Sequence, residues 1–298
     1  MLSLEYICEI CEQHKEAFNA QVEEFKIGDK SFNFNSQKSI LGIVNLSTES
    51  WYKNSICYNL EQVIRRAKVL TIQGADIIDI GAESTVQTTE RVDAVKQNRQ
   101  ILPILETLSQ EGVLTSIETY YPEVARACLK AGANVINFTG KEKKEEMYQV
   151  VSEFDAGIII CYIQGKNARA LGNLNIGEDP IGLVYDYFAK EVEIAAQFGV
   201  RKIFLDPAIG LSYANLYKKQ DYSFRVQYQI KTLLNSFRLR KLGFPICNHL
   251  PSSLEVFAEE FRTAQPVIAV MAILGKNDLM RTHEVAKVKA VLDILSLF

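Results

Sequence analysis

No apolar run in the 298-residue chain approaches the roughly 20 residues that span a bilayer. Nor does it open with the basic-then-apolar pattern of a secretory leader. Neither a membrane partner nor export is therefore expected, and a cytoplasmic location is. No charge sign dominates either. The formal net charge is -3 and the pI about 5.8, which argues against a general nucleic-acid or anionic-membrane partner while leaving room for a local basic pocket. Cysteine is sparse and scattered, at Cys8, Cys11, Cys57, Cys128, Cys161 and Cys247. Disulfide-stapled domains are short and cysteine-dense, so reduced thiols are expected here. Cys8 and Cys11 followed by His14 invite a metal reading, but no second cysteine pair follows. What the chain does have is 48% hydrophobic and 23% charged residues, enough for a full core and too little polarity for long disorder.

One theme repeats along the chain. Short runs rich in Ile, Val and Leu alternate with stretches of helical period. The runs are Ile40–Asn45, Ile77–Ala82, Leu114–Thr119, Val135–Phe138, Gly157–Ile163, Lys202–Ile209, Phe244–His249 and Asp278–His283. Most are nearly continuous in apolar residues, as parallel strands buried on both faces are. Helices are predicted over Leu60–Gln73, Pro122–Lys130 and Ile181–Phe198, stopping at Gly74, Gly132 and Gly199 just before a strand. Eight strands recurring about every 34 residues favour a (β/α)8 TIM barrel, with a doubly wound open sheet as the alternative. No G-x-G-x-x-G follows the first strand, which weighs against a dinucleotide fold. Residues 1–35 fall outside the repeat. A helix is predicted over Cys8–Phe25, and Phe25–Phe34 reads as a hairpin turning at Gly28-Asp29 that could close the barrel bottom. No linker interrupts the rest, so 1–298 reads as one domain.

A barrel carries its chemistry at the C-terminal ends of its strands. There this sequence places Asn45, Asp79, Glu83-Ser-Thr85, Glu118, Asn137, Gln164, Asp206, His249, Arg281 and His283. Burying such groups unpaired would cost about 1–3 kcal/mol each, so a core alone does not explain them. Asp79 and Ser84 are expected to satisfy backbone and caps. Glu118, Asn137 and Asp206 are expected to bind a ligand. Two carboxylates and a carboxamide suit a planar heterocycle rich in N–H donors better than a hard metal ion.

These residues resemble the dihydropteroate synthase family. The resemblance rests on Asn45-Leu-Ser-Thr-Glu-Ser-Trp51, Gly74-Ala-Asp-Ile-Ile-Asp-Ile-Gly-Ala-Glu-Ser-Thr85, Ser116-Ile-Glu-Thr-Tyr-Tyr-Pro-Glu-Val124, Val135-Ile-Asn137, Leu205-Asp-Pro-Ala-Ile-Gly210 and Arg281-Thr-His-Glu-Val285, in order and at the right spacing. It implies a (β/α)8 barrel that joins 6-hydroxymethyl-7,8-dihydropterin diphosphate to p-aminobenzoate in folate biosynthesis, releasing diphosphate. It further implies that Asn45 helps hold a Mg2+–diphosphate and that Glu118, Asn137 and Asp206 bond the pterin edge. Arg281 would lie against the pterin face, His283 would bind diphosphate, and Thr85 would sit beside p-aminobenzoate and diphosphate. A homodimer through the late helices is also implied.

The departures from the family are specific. Glu118 stands where the family has Asp. Thr85-Val-Gln-Thr88 replaces Thr-Arg-Pro-Gly and so lacks an anion-binding Arg. Asn248-His-Leu-Pro-Ser-Ser253 replaces the stretch that carries Ser-Arg-Lys, leaving His249, if protonated, as its one cation. The first loop reads Ser47-Thr-Glu-Ser-Trp51, and the sixth, Ala208-Ile-Gly-Leu-Ser-Tyr213, lacks a Gly-rich, Lys-ended run. Two or three lost charge-assisted contacts at roughly 1.5–3 kcal/mol each would weaken a synthase by orders of magnitude. Three readings follow: a divergent synthase that recruits Lys53, Lys166 or Arg169, a pterin-binding paralogue without turnover, and a barrel acting on another pterin.

Overall fold

The computed structural model describes residues 2–47, 52–85, 89–177, 179–211, 213–217 and 222–298. Two short helices, α1 (Leu4–Gln13) and α2 (Lys15–Asn19), lead into an antiparallel hairpin of β1 (Phe25–Ile27) and β2 (Lys30–Phe32). Then come β3 (Ser39–Asn45), α3 (Leu60–Ile72), β4 (Ile77–Gly81), α4 (Ala94–Gln110), β5 (Thr115–Thr119), α5 (Pro122–Lys130), β6 (Val135–Phe138), α6 (Lys144–Glu153) and β7 (Gly157–Cys161). The chain continues through α7 (Pro180–Gln197), β8 (Lys202–Asp206), α8 (Ala214–Tyr217), α9 (Ser223–Asn235), β9 (Cys247–His249), α10 (Leu254–Phe257), α11 (Phe261–Leu274), β10 (Leu279–Thr282) and α12 (Val285–Leu295).

Strands β3 to β10 form one parallel sheet in the order β8-β7-β6-β5-β4-β3-β10-β9. The sheet closes where Leu205 N donates to Pro245 O at 2.9 Å and Leu205 bridges Ile246. This is the expected (β/α)8 barrel, and the open-sheet alternative is excluded. Helices cover the outside, so strands such as β7 are buried along their whole length and can be apolar on both faces. Helix starts are fixed locally. Asn59 and Asp93 each accept, through the side chain, a backbone N–H of the first turn they cap, at 2.9 and 2.8 Å.

The hairpin closes the bottom, as the sequence suggests. Its turn at Gly28 lies against Leu114 and Asn134, at the start of β5 and β6. Phe25 and Phe34 pack edge-on to each other at 5.1 Å, and each meets Phe204 of β8 at 5.3 Å. Burying each such ring contributes about 1.5–3 kcal/mol. The bottom also uses acids structurally. Asp76 accepts Ile40 N at 2.7 Å, and wholly buried Asp278 takes Ile246 N at 2.9 Å and Arg240 at 2.6 Å.

Two expectations need correction. The stretch Cys8–Phe25 is not one helix. It breaks at His14 (φ -124°, ψ 37°) and turns extended at Ala20, because Val22 N and Glu23 N are drawn to Asn35 Oδ1 and Gly243 O. Tertiary bonds override a local helical period here. The run Phe244–His249 is a strand only over Cys247–His249, since Pro245 has no N–H to offer the ladder and Ile246 N is spent on Asp278.

Candidate active site

A cavity of about 390 Å³ opens at the C-terminal ends of the strands. Asn45, Thr85, Glu118, Asn137, Asp206, Arg281 and His283 all line it. Every residue given a ligand role by the resemblance is thus brought to one place. Gln164 is not, because its amide is spent on the Tyr162 hydroxyl and Asn175 O.

The floor is a network of strand-end side chains. Asp79, inaccessible to solvent, accepts Arg281 Nε at 2.7 Å, Ser116 Oγ at 2.7 Å and Asn137 Nδ2 at 3.1 Å. Arg281 also donates to Glu118. The expectation that Asp79 satisfies backbone and caps is corrected: its partners are side chains of the site. Burial pushes the carboxyls up. Glu118 reaches about 7 from an ordinary 4.5, against the pull of Arg281, and Asp206 reaches about 6 from 3.8. Burial opposes the charge of Arg281, yet Asp79 and Glu118 outweigh it and hold the guanidinium protonated. Asp206 keeps its direction by accepting Ala208 N at 2.7 Å, which Ala208 supplies from a left-handed φ of 57°. Cys161 Sγ bridges the two ligand-facing groups, 3.6 Å from Asn137 Oδ1 and 3.8 Å from Asp206 Oδ2.

The wall between β3, β9 and β10 is built differently. His283 stacks on Tyr52 at 4.3 Å and 8°, and its Nε2 stands 3.4 Å from Asn45 Nδ2. The Tyr52 hydroxyl bonds Glu284, which Arg262 holds at 2.6 Å. His249 packs edge-on to His283 at 5.7 Å and so close to Gly210 that a Cβ there would fall 2.4 Å from its Cδ2. Burial and the nearby Arg281 drive His249 down to about 3, so it is neutral. The protonated His249 weighed in the sequence is overturned: the site cannot solvate a second charge beside Arg281. Burial also drives His283 well below its ordinary value.

The recruited cations differ from expectation too. Lys166 lies exposed, 3.3 Å from Glu142. Arg169 is buried and spent on backbone, donating to Ser84 O at 2.7 Å and Thr89 O at 2.6 Å, so it fastens the loop after β4. Lys53 does line the cavity, and so does Arg225 of α9, paired with Glu255. Sequence reasoning missed Arg225. A signal was present: α9 buries Arg225, Tyr228, Gln229 and Thr232 on one face at helical spacing, a polar stripe with no reason to face a hydrocarbon core. It missed Gln265 as well, fully buried in a helix that is apolar from Pro266 onward. Of the changed loops, Thr48 to Trp51, Val86 to Thr88 and Ser212 lie outside the described residues.

Among the described residues, no group of three or more His, Cys, Asp and Glu is placed to hold a metal ion. A lone hard-oxygen donor such as the Asn45 carboxamide, on the cavity wall beside His283, fits a Mg2+ that arrives with a diphosphate. Mg2+ keeps its waters and takes one or two protein ligands plus phosphate oxygens. No helix among the described residues is long and apolar enough to cross a membrane.

Comparison with known proteins agrees with this geometry. The family described as pterin binding enzyme matches residues 41–283. The dihydropteroate synthase of a Synechocystis species is 30% identical over 272 residues, 87% of this chain and 89% of the relative. That of Clostridium beijerinckii is 28% identical over 271 residues, 87% and 94% of the two chains. The crystal structure of the Clostridium difficile dihydropteroate synthase in the presence of pteroic acid superposes with a TM-score of 0.75 at 28% identity, covering 89% of this chain and 98% of that one. The chain belongs to the pterin-binding enzymes, in the dihydropteroate synthase family.

Proposed function

We infer that this protein is a dihydropteroate synthase, a transferase acting as one domain in the cytoplasm, with residues 1–35 as an extension. The observation that carries the reading is the floor of the cavity, where Glu118, Asn137, Asp206 and Arg281 converge from four strands. A pterin edge offers N–H donors and a carbonyl in one plane. Asp206 and Glu118 accept, Asn137 does both, and Arg281 lies beside the ring, locked by Asp79 and Glu118. The amine nitrogen of p-aminobenzoate, placed near Thr85, forms a bond to the exocyclic methylene carbon of the pterin. The carbon–oxygen bond to diphosphate breaks with its electron pair on oxygen, and the amine loses a proton to solvent. No strong base is needed. Positioning and stabilisation of the leaving anion suffice.

Arg281 already faces two carboxylates, so its charge is largely compensated. Stabilising the diphosphate falls to His283, Asn45 and Lys53, with Arg225 contributing in part because Glu255 already pairs with it. A Mg2+ held by Asn45 and the diphosphate would supply further positive charge when bound. The non-catalytic alternative is not favoured, since the relatives that match over most of the chain are themselves synthases. A homodimer through the late helices belongs to the same reading and is tested by sedimentation.

The deciding experiment is a coupled assay with the pterin diphosphate. Diphosphate release that depends on p-aminobenzoate, with dihydropteroate as product, is expected. Pterin binding without such release would overturn the reading. A turnover of roughly 1 per second or more would mean that Lys53 and Arg225 replace the cations missing from the loops.

A further inference from the structure

We propose that Gln265 is the positioning residue that fixes the tautomer of His283, holding the imidazole proton on Nε2 so that the ring presents an N–H donor to the cavity. The proposal rests on the reading of His283 as a diphosphate ligand, but the tautomer itself does not depend on it.

The argument begins with the oxygen of Gln265. Oε1 accepts three hydrogen bonds: Thr282 Oγ1 at 2.8 Å, His283 N at 3.0 Å and Glu284 N at 3.2 Å. Two of these donors are backbone amides at the end of β10, and the glutamine is fully buried. Rotating the amide would set its NH2 against both backbone N–H groups, cost His283 N its acceptor and leave Glu284 N with Thr282 Oγ1 alone, at 3.0 Å. The orientation is therefore determined. It turns Nε2 toward Leu250 O, at 2.7 Å, and toward Nδ1 of His283, at 3.4 Å. A ring nitrogen facing an N–H must carry its lone pair inward, so the proton of a neutral imidazole goes to Nε2.

Asn45 Nδ2, 3.4 Å from Nε2, does not reverse this. Its amide donates to the Ser55 hydroxyl at 2.6 Å, which donates on to Tyr52 O at 2.7 Å, so presenting the Asn45 oxygen to Nε2–H takes one change, the turning of that hydroxyl proton from Tyr52 O to Asn45. Gln265 has no such freedom. The ring plane is fixed separately by the stack on Tyr52, whose hydroxyl is anchored on Glu284. One residue thus sets the proton and another the plane.

A purely structural Gln265, tying β9 to β10, would leave the imidazole free in its proton. The two roles separate in nitrogen NMR of the chain labelled on histidine, which has only His14, His249 and His283 to assign. In the wild-type chain His283 is expected as the Nε2–H tautomer. Nδ1–H there overturns the assignment, whatever the enzyme does.

The conservative variant Gln265→Glu keeps the oxygen that takes the three donors and puts a second acceptor opposite Nδ1. The proton is expected to move to Nδ1. KM for the pterin diphosphate is then expected to rise about tenfold, while affinity for the pterin without diphosphate stays within about twofold. An unchanged tautomer in a folded Gln265→Glu overturns the positioning role. A switched tautomer with unchanged KM overturns its link to the leaving group. Should Gln265→Glu not fold, the wild-type spectrum still decides, and it does so even if the chain makes no dihydropteroate.

Discussion

The two ends of the barrel use the same residue types to opposite purposes. Asp76 and Asp79 belong to one strand segment, three residues apart, as do Asp278 and Arg281. At the bottom, Asp76 takes a strand N–H and Lys30, while Asp278 takes a strand N–H and Arg240. Both acids there are matched by a strand N–H and by a cation. At the top, Asp79, Glu118, Asn137 and Arg281 satisfy one another side chain to side chain, across strands, around an open cavity. A bottom acid closes the fold; a top acid is oriented by its neighbours toward something that is not protein. The lesson is that an acid's role follows from its place along the strand, before it for Asp278 and within it for Asp79, not from its burial, which is complete for both.

Three substitutions and conditions probe that contrast. The largest effect is expected at the bottom. Asp278→Ala strands Arg240 without its buried partner, at a cost of about 3–5 kcal/mol. The Tm should fall on the order of 10 °C. Below that Tm, pterin affinity should be unchanged in a binding titration, and a large loss of affinity would break the contrast.

Next comes Asp206→Asn at the top. It keeps the shape but turns an NH2 toward the donors of the pterin. About 2–3 kcal/mol of binding is expected to go, roughly 30- to 150-fold in Kd. Thermal unfolding should hardly move, and a large drop in Tm would show Asp206 to be structural after all.

The smallest effect is set by pH. Only the ionised carboxylates accept fully from the ligand, so pterin affinity should decline as pH falls through about 7 for Glu118 and about 6 for Asp206. Stability of the free protein runs the other way. The folded-state values lie above the ordinary 4.5 and 3.8, so the folded chain holds extra protons between about pH 4 and 7. These two groups therefore favour folding at the low end of that window and lose that contribution as pH rises through it. Comparison with Glu118→Gln isolates the first of them. Affinity that is flat from pH 5 to 7.5 would contradict the raised carboxyls.

The floor was legible in the sequence because each of its residues ends an apolar run. Asn45, Glu118, Asn137, Asp206 and Arg281 are polar where eight buried strands stop, and a strand fixes both the place and the direction of its last side chain. The wall was less legible. Arg225 and Gln265 come from helices, where a buried polar residue reads as part of an amphipathic pattern until the facing element is known. Tyr52 reaches His283 from a loop 231 positions earlier in sequence, which no spacing predicts. The charge of His249 was also beyond reach, since burial beside Arg281 decides it. The hairpin was readable from Gly28-Asp29, but the extended exit after Ala20 was not, because Asn35 Oδ1 and Gly243 O, distant in sequence, take the amides of Val22 and Glu23.

The measurement that tests the account most directly is a calorimetric titration of the chain with a pterin, with and without diphosphate. One pterin per chain should bind without diphosphate, held by the floor alone, and Asp206→Asn should abolish most of that heat. A folded wild-type chain that gives no heat with the pterin, or an Asp206→Asn variant that binds it as tightly as wild type, would contradict the claim that the strand-end acids at the top of this barrel are a pterin site.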